Sequence, residues 1–145
     1  MLYFTGFPRN ASDIAGEQIK NTPEKIKELK AMKGLVEDAI NILNGKQEGY
    51  TDFGKLLHEA WMLKRDLTSH ISNSDIDDIY ETARKAGALG GKLLGAGGGG
   101  FMLLFARPEI QPKIKEALKK LLYVPFAFHD LGSQIVYYAP EDNYQ

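Results

Sequence analysis

The sequence predicts an α+β domain with an antiparallel sheet and helices packed on one face. Short apolar runs rich in aromatic or β-branched residues and bounded by glycine or proline read as strands. Longer stretches with apolar residues at alternating steps of three and four read as amphipathic helices.

Leu2-Tyr3-Phe4-Thr5 forms the first strand, closed by Gly6 and Pro8. A strand this near residue 1, with no lead-in, suggests a polypeptide cut from a longer one. Thr22-Pro23-Glu24 reads as an N-cap, a proline at the first helical position and an acid in the first turn. The helix that follows places Leu29, Met32, Val36, Ala39 and Leu43 on one stripe and ends at Gly45. A second helix starts near Thr51 or Asp52 and carries Phe53, Leu56, Leu57, Ala60, Trp61, Leu63 and Leu67. A third begins at Ser74, with Asp77 as a capping-box variant, and buries Ile76, Ile79, Tyr80 and Ala83. Polar or glycine-rich breaks between the three favour stacked short helices over a coiled coil.

Lys92-Leu93-Leu94 and Phe101-Met102-Leu103-Leu104-Phe105 flank a glycine cluster, and both are too short for helices, so they read as strands. Pro108 opens another helix, with Ile110, Ile114, Ala117, Leu118 and Leu121 on one face. Gln134 to Tyr138 is the last strand, Val124 to Phe128 offers a further edge strand limited by Pro125, and the tail from Pro140 frays. The order is strand, helices, strand, strand, helix, strand. That is the split βαβ or ferredoxin-like plan with extra helices inserted in the first crossover, and residues 1–145 make one such domain.

Composition excludes several classes. A formal net charge of -1 gives no electrostatic case for nucleic acid or an anionic membrane, and lysines and glutamates are interspersed as on solvated helix faces. The chain has no cysteine, which removes disulfides, thiolate metal sites and a cysteine nucleophile. His58, His70 and His129 lack metal-ligand spacing, so no metal site is expected. No apolar run has the length of a membrane span and no secretory leader is visible, so the cytoplasm is the expected compartment. Asn10-Ala11-Ser12 then matches a glycosylation acceptor by chance.

The functional information is concentrated in Gly95-Ala96-Gly97-Gly98-Gly99-Gly100. Gly95, Gly97 and Gly100 satisfy the dinucleotide G-x-G-x-x-G spacing, but that turn must feed a helix, and this one feeds an apolar strand. No lysine follows in the Walker pattern either. A two-residue hairpin needs one or two glycines, not this many. Glycine costs about 0.5–1 kcal/mol relative to alanine, so the excess points to positive φ at several residues or to another backbone or a ligand approaching closely. Successive N–H groups in such turns make anion-binding concavities. The plain alternative is a flexible hairpin tip.

Gly90-Gly91-Lys92-Leu93-Leu94-Gly95-Ala96-Gly97-Gly98-Gly99-Gly100-Phe101 resembles the third signature motif of the GHMP kinases, the group containing galactokinase, homoserine kinase and mevalonate kinase. In that family the motif joins two strands of a ferredoxin-like C-terminal domain, and the resemblance spans essentially the whole chain. Tyr3-Phe4-Thr5-Gly6 with Arg9 and Ser12, Trp61-Met62-Leu63-Lys64-Arg65, and Gly87-Ala88-Leu89-Gly90-Gly91-Lys92 are most similar to kinases acting on D-glycero-D-manno-heptose 7-phosphate. Such kinases transfer the γ-phosphoryl of ATP to the anomeric hydroxyl; fucose-type kinases are also similar here.

The resemblance implies an N-terminal ATP-binding domain of the same polypeptide, absent from this chain. ATP and Mg2+ would be held mainly there, since no Pro-x-x-x-Gly-Leu-Ser-Ser-like phosphate loop occurs in these residues. It implies no catalytic residue in this chain, and a fragment inactive alone. Gly95, Ala96, Gly97, Gly98, Gly99 and Gly100 would support the phosphate loop and shape the substrate cleft.

Other side chains carry two readings each. Arg9 beside Ser12 suits a sugar phosphate through bidentate hydrogen bonds, or is a solvated loop arginine. Lys64 and Arg65 reach a cleft or form a charged helix flank. Lys92 meets phosphate or alternates to solvent. Trp61 at helical spacing from Leu57 is core. A non-catalytic binding module that holds a small anion, and an assembly domain, remain the rival classes, and the oligomeric state is open.

Overall fold

The computed structural model describes residues 1–7, 11–45, 49–128 and 131–138. Four strands form one antiparallel sheet: β1 (Leu2–Phe4), β2 (Gly90–Leu93), β3 (Phe101–Phe105) and β4 (Leu122–Tyr123), in the order β2-β3-β1-β4. This is the order that the split βαβ plan requires. Leu2 pairs with Leu103, Leu93 with Met102 and Tyr3 with Tyr123. Alternation sends Tyr3, Leu93, Met102 and Leu104 to one face, where each is buried.

The helices α1 (Ala11–Asn21), α2 (Ile26–Asn44), α3 (Gly49–Arg65), α4 (Ser74–Lys85) and α5 (Gln111–Ala117) complete the domain. Trp61, Ile71, Ile76, Tyr80, Ala83, Ile114 and Leu118 join the buried sheet residues in one core. Trp61 is fully buried against Tyr80, as its helical spacing from Leu57 predicts. Among the described residues, no helix is long and apolar enough to cross a membrane.

Several local expectations are corrected. Helix α1 had no counterpart in the sequence reading: it carries few apolar residues and a mid-helix Gly16, which weakens the periodic signal. Thr22-Pro23-Glu24 does not open the next helix. Thr22 Oγ1 instead donates back to the Gln18 carbonyl at 3.0 Å, finishing α1, and α2 starts at Ile26 after Lys25, whose side chain makes no capping bond.

The stripe on α2 is rotated from the expected one. Val36 and Leu43 are exposed, while Leu35 is buried and Ile42 partly covered, because the inward face is set by packing against α3. Asn73 rather than Ser74 caps α4, accepting from the Ile76 N–H at 2.9 Å, and Asp77 is turned to Ser72 and Arg65. Helix α3 begins at Gly49, ahead of Thr51. Strand β2 begins at Gly90 and leaves Leu94 outside. Pro108 opens a 3₁₀ turn (Pro108–Ile110) that passes into α5.

The fourth strand is the largest correction. Leu122–Tyr123 takes the outer edge beside β1, and Val124 N–H extends the pairing to the Leu2 carbonyl at 2.9 Å. Pro125 then stops it, so no strand runs from Val124 to Phe128. Gln134 to Tyr138 is no strand in this chain: Ile135, Val136, Tyr137 and Tyr138 are all exposed. His129 and the tail from Pro140 lie outside the described residues.

Helix α3 meets β2 backbone to backbone at Gly90. An ideal Cβ on Gly90 would overlap the carbonyl oxygen of Gly54, and one on Gly54 would overlap the Leu89 side chain. The Gly54–Gly90 contact lets α3 lie close to the outer strand. It thereby brings the C-terminal end of α3, with Lys64, up to the glycine turn.

Candidate functional site

The turn hangs between β2 and β3, with the Leu94 N–H donating to the Phe101 carbonyl at 2.8 Å. Its glycines have backbone φ of 76° (Gly95), 126° (Gly97), 72° (Gly98), 156° (Gly99) and 95° (Gly100). Side chains other than hydrogen rarely adopt such values, so the composition follows from the path. Both expected causes act together, since the chain's own backbone also approaches. A Cβ on Gly97 would lie 2.7 Å from Ile71 Cα, and one on Gly99 would lie 2.5 Å from the Phe7 carbonyl oxygen. One on Gly98 would lie 2.5 Å from Ile14 Cδ1.

Hydrogen bonds from four separate segments hold this path. Gly98 N–H donates to Ile71 O at 2.9 Å and Gly100 N–H to Phe7 O at 3.2 Å. The Thr5 N–H and hydroxyl both reach Gly100 O, at 2.8 and 3.0 Å. Gln18 Nε2 donates to Ala96 O at 2.7 Å. Lys64 Nζ donates to Leu93 O at 3.1 Å and Gly95 O at 2.5 Å. Gly97, Gly99 and Gly100 are buried. The flexible-tip reading does not describe this turn.

Beside the turn, α1 lines a hollow of about 520 Å³ with Ser12, Asp13, Ile14, Glu17 and Lys20, facing His70. Ile14 belongs both to this hollow and to the wall over Gly98. Glu17 ties α1 to the α3–α4 connection: its carboxylate accepts from Thr68 Oγ1 at 2.8 Å and meets His70 Nδ1 at 2.5 Å. The Thr68 hydroxyl bond holds the Glu17 carboxyl below the usual glutamate range, opposed by desolvation and aided by His70 and Lys20.

That depression has a sign for stability. A carboxyl with a lowered folded-state pKa contributes stability that is present above its unfolded value and lost as pH falls through the folded value. Glu17→Gln is therefore expected to flatten the loss of stability on acidification below the ordinary glutamate value of 4.5. Melting temperatures of both proteins from neutral pH downward check this, and parallel acid limbs would show that the Glu17 contacts do not hold α1.

The sequence-predicted residues divide. Ser12, exposed on α1, and the turn lie on either side of Ile14, and Lys64 reaches the turn from beneath, 8% exposed. Arg65 turns elsewhere, pairing with Asp77 at 2.9 Å with its guanidinium 6.0 Å from the Trp61 ring centre. Lys92 is half-buried opposite Leu103 on β2. Arg9 lies outside the described residues. Gln18, Glu17, Thr68 and Ile71 were not anticipated. All four depend on α1 or on the α3–α4 connection, neither of which carries a periodic signal.

Among the described residues, no three His, Asp or Glu side chains gather as a metal site would need. A larger hollow, about 840 Å³, lies among Ile42, Leu43, Tyr50, Phe53, Phe105 and Phe128, and none of the predicted site residues lines it.

Known proteins are similar to this chain in sequence and in fold. Residues 31–124 match the family model described as GHMP kinases C terminal. The chain is 37% identical over 123 residues to the D-glycero-alpha-D-manno-heptose 7-phosphate kinase of Campylobacter jejuni, covering 83% of this chain and 35% of that protein. It is 28% identical over 147 residues to the L-fucokinase/L-fucose-1-P guanylyltransferase of Bacteroides fragilis, covering 93% of this chain and 15% of that protein. The L. major mevalonate kinase, solved with R-mevalonate, superposes with a TM-score of 0.69 at 24% identity over 82% of this chain and 37% of that one. This chain thus spans about a third or less of each of these proteins, and it belongs to the GHMP kinase family as its C-terminal domain.

Proposed function

We propose that this domain is the C-terminal portion of an ATP-dependent sugar kinase that phosphorylates the anomeric hydroxyl of D-glycero-D-manno-heptose 7-phosphate. The observation that carries the reading is the 37% identity to the heptose 7-phosphate kinase, which extends over 83% of the chain and so takes in the glycine turn. The L-fucokinase likeness, 28% over 93% of the chain, supports a fucose-type substrate as the second reading. An N-terminal domain of the same polypeptide then supplies the nucleotide site and the acid–base pair, in the cytoplasm.

The described residues do not fit a Mg2+ site, having no carboxylate cluster, and the turn feeds a strand rather than a phosphate-binding helix. What this domain contributes is positioning. The glycine turn, with Ser12 across Ile14 from it, shapes the sugar side of the cleft, and phosphoryl transfer depends on such positioning together with electrostatic stabilisation.

The chain alone, incubated with ATP, magnesium and heptose 7-phosphate, is expected to release no sugar-dependent ADP. Joined to its N-terminal domain, it is expected to turn over the heptose phosphate with kcat/KM at least about 100-fold above that for L-fucose, since lost contacts to a charged phosphate are worth roughly 1.5–3 kcal/mol each. Sugar-dependent turnover by the chain alone would overturn the division of labour. A preference for L-fucose would replace the substrate.

A further inference from the structure

We propose that Lys64 and Gln18 are positioning residues that set the direction of the first two peptide planes of the glycine turn, and through them its hydrogen-bonding polarity. The inference rests on the kinase reading for its catalytic consequence, but its structural part stands on the geometry alone.

A glycine-rich turn has no side chains with which to choose an orientation, and each of its peptide units can flip at little cost. In a trans peptide the C=O of one residue and the N–H of the next point in opposite directions. Whatever grips the carbonyl therefore aims the following N–H. Lys64 Nζ takes the Gly95 carbonyl at 2.5 Å, which turns the Ala96 N–H away from α3. Gln18 Nε2 takes the Ala96 carbonyl at 2.7 Å, which turns the Gly97 N–H away from α1. Neither of these N–H groups donates to a backbone carbonyl among the described residues, in contrast to those of Gly98 and Gly100. The half of the turn gripped by side chains is thus the half whose donors are directed outward. In the other half the Gly98 and Gly100 donors are taken up by the Ile71 and Phe7 carbonyls.

The same ammonium also donates to Leu93 O at 3.1 Å, the last residue of β2, so Lys64 couples the strand end to the turn. Its burial, at 8% exposure, is what makes a charged donor worth having here. A charge-assisted hydrogen bond shielded from water resists the flip that a neutral, solvated contact would permit. Two consecutive outward N–H groups form a concavity suited to an anionic oxygen, such as one on a phosphoryl group. Lys64 would then act on the substrate through the backbone without touching it, which separates it from the ligand role its sequence position first suggested.

Backbone 15N relaxation, followed residue by residue by NMR on this chain, tests the structural part. In Lys64→Met, the order parameters of the Ala96 and Gly97 N–H vectors are expected to fall from about 0.85 to below about 0.6, with Met102 and Leu104 unchanged. Gln18→Glu removes the second donor from a half-buried site and is expected to release Gly97 alone, which keeps the test usable if Lys64→Met does not fold. Unchanged order parameters at Ala96 and Gly97 in both variants would overturn the proposal.

In the kinase joined to its N-terminal domain, both variants are expected to lose at least ten-fold in kcat, with KM for heptose 7-phosphate within two-fold. A raised KM with kcat retained would overturn the positioning role by making Lys64 a ligand. A turn loosened in both variants of a kinase whose unmutated form shows no activity would uphold the structural part and remove the kinase reading instead.

Discussion

Gly90→Ala is expected to prevent the chain from folding, or to lower its stability by more than about 4 kcal/mol. The added Cβ would overlap the Gly54 carbonyl oxygen and lie 2.9 Å from the His58 backbone nitrogen. Both are backbone atoms of α3, so no rotamer change relieves the overlap. The helix must move away from β2, and the buried Trp61 and Lys64 move with it. Overpacking in a core typically costs about 1–3 kcal/mol, and a helix displacement adds to that. Gly34 is the control, since a Cβ there meets nothing within 4 Å. Gly34→Ala is expected to stabilise α2 by up to about 1 kcal/mol. Urea unfolding of the three proteins measures both effects, and similar stabilities for Gly90→Ala and the parent would refute the backbone contact.

Gly97→Ala carries the second large effect. Its φ of 126° strains any L side chain, and the Cβ would stand 2.7 Å from Ile71 Cα and 3.0 Å from Ile71 O. Strain and overlap together are expected to cost about 3 kcal/mol, or roughly a 10 °C fall in melting temperature for a domain of this size. Gly98→Ala is expected to cost less. Its Cβ meets the mobile end of Ile14, leaving mainly the strain of φ 72°, about 1–2 kcal/mol. The ranking of the two melts is the check, since equal losses would mean that Ile71 is not the obstacle. A loss of activity in Gly97→Ala would then need correction for stability before it is assigned to substrate. The glycines are required by this domain's own backbone before any neighbour arrives.

What the sequence disclosed, and what it hid, follows from the range of the forces involved. Glycine φ and helical periodicity are local, so the turn, α3, α4 and the pair β2–β3 were legible. The rotated stripe on α2 was not, because Val36 and Leu35 are equally apolar and only contact with α3 chooses between them. Ile135 to Tyr138 has the composition of a strand, yet a strand needs an edge. Leu122–Tyr123 takes the edge beside β1 with only two residues, too few to signal by composition. Arg65 and Lys64 look alike in the sequence, and one helical step sends the first to Asp77 and the second to the turn. Gln18 was invisible for a different reason: its partner is a carbonyl, which every residue has.

The wiring of the turn also bears on how the chain folds. The β2–β3 hairpin closes over a few residues, but the Thr5–Gly100 hydrogen bond joins positions 95 apart. Closing a loop of that length costs about 4 kcal/mol in chain entropy on a logarithmic scaling, more than twice the cost of closing the hairpin itself. Gln18 and Ala96 are 78 apart, and Lys64 and Gly95 are 31 apart. The hairpin is therefore expected early, with a shapeless tip, and the tip takes its form only when the first strand and first helix return to it. The segment richest in glycine is ordered last, by the parts of the chain made first.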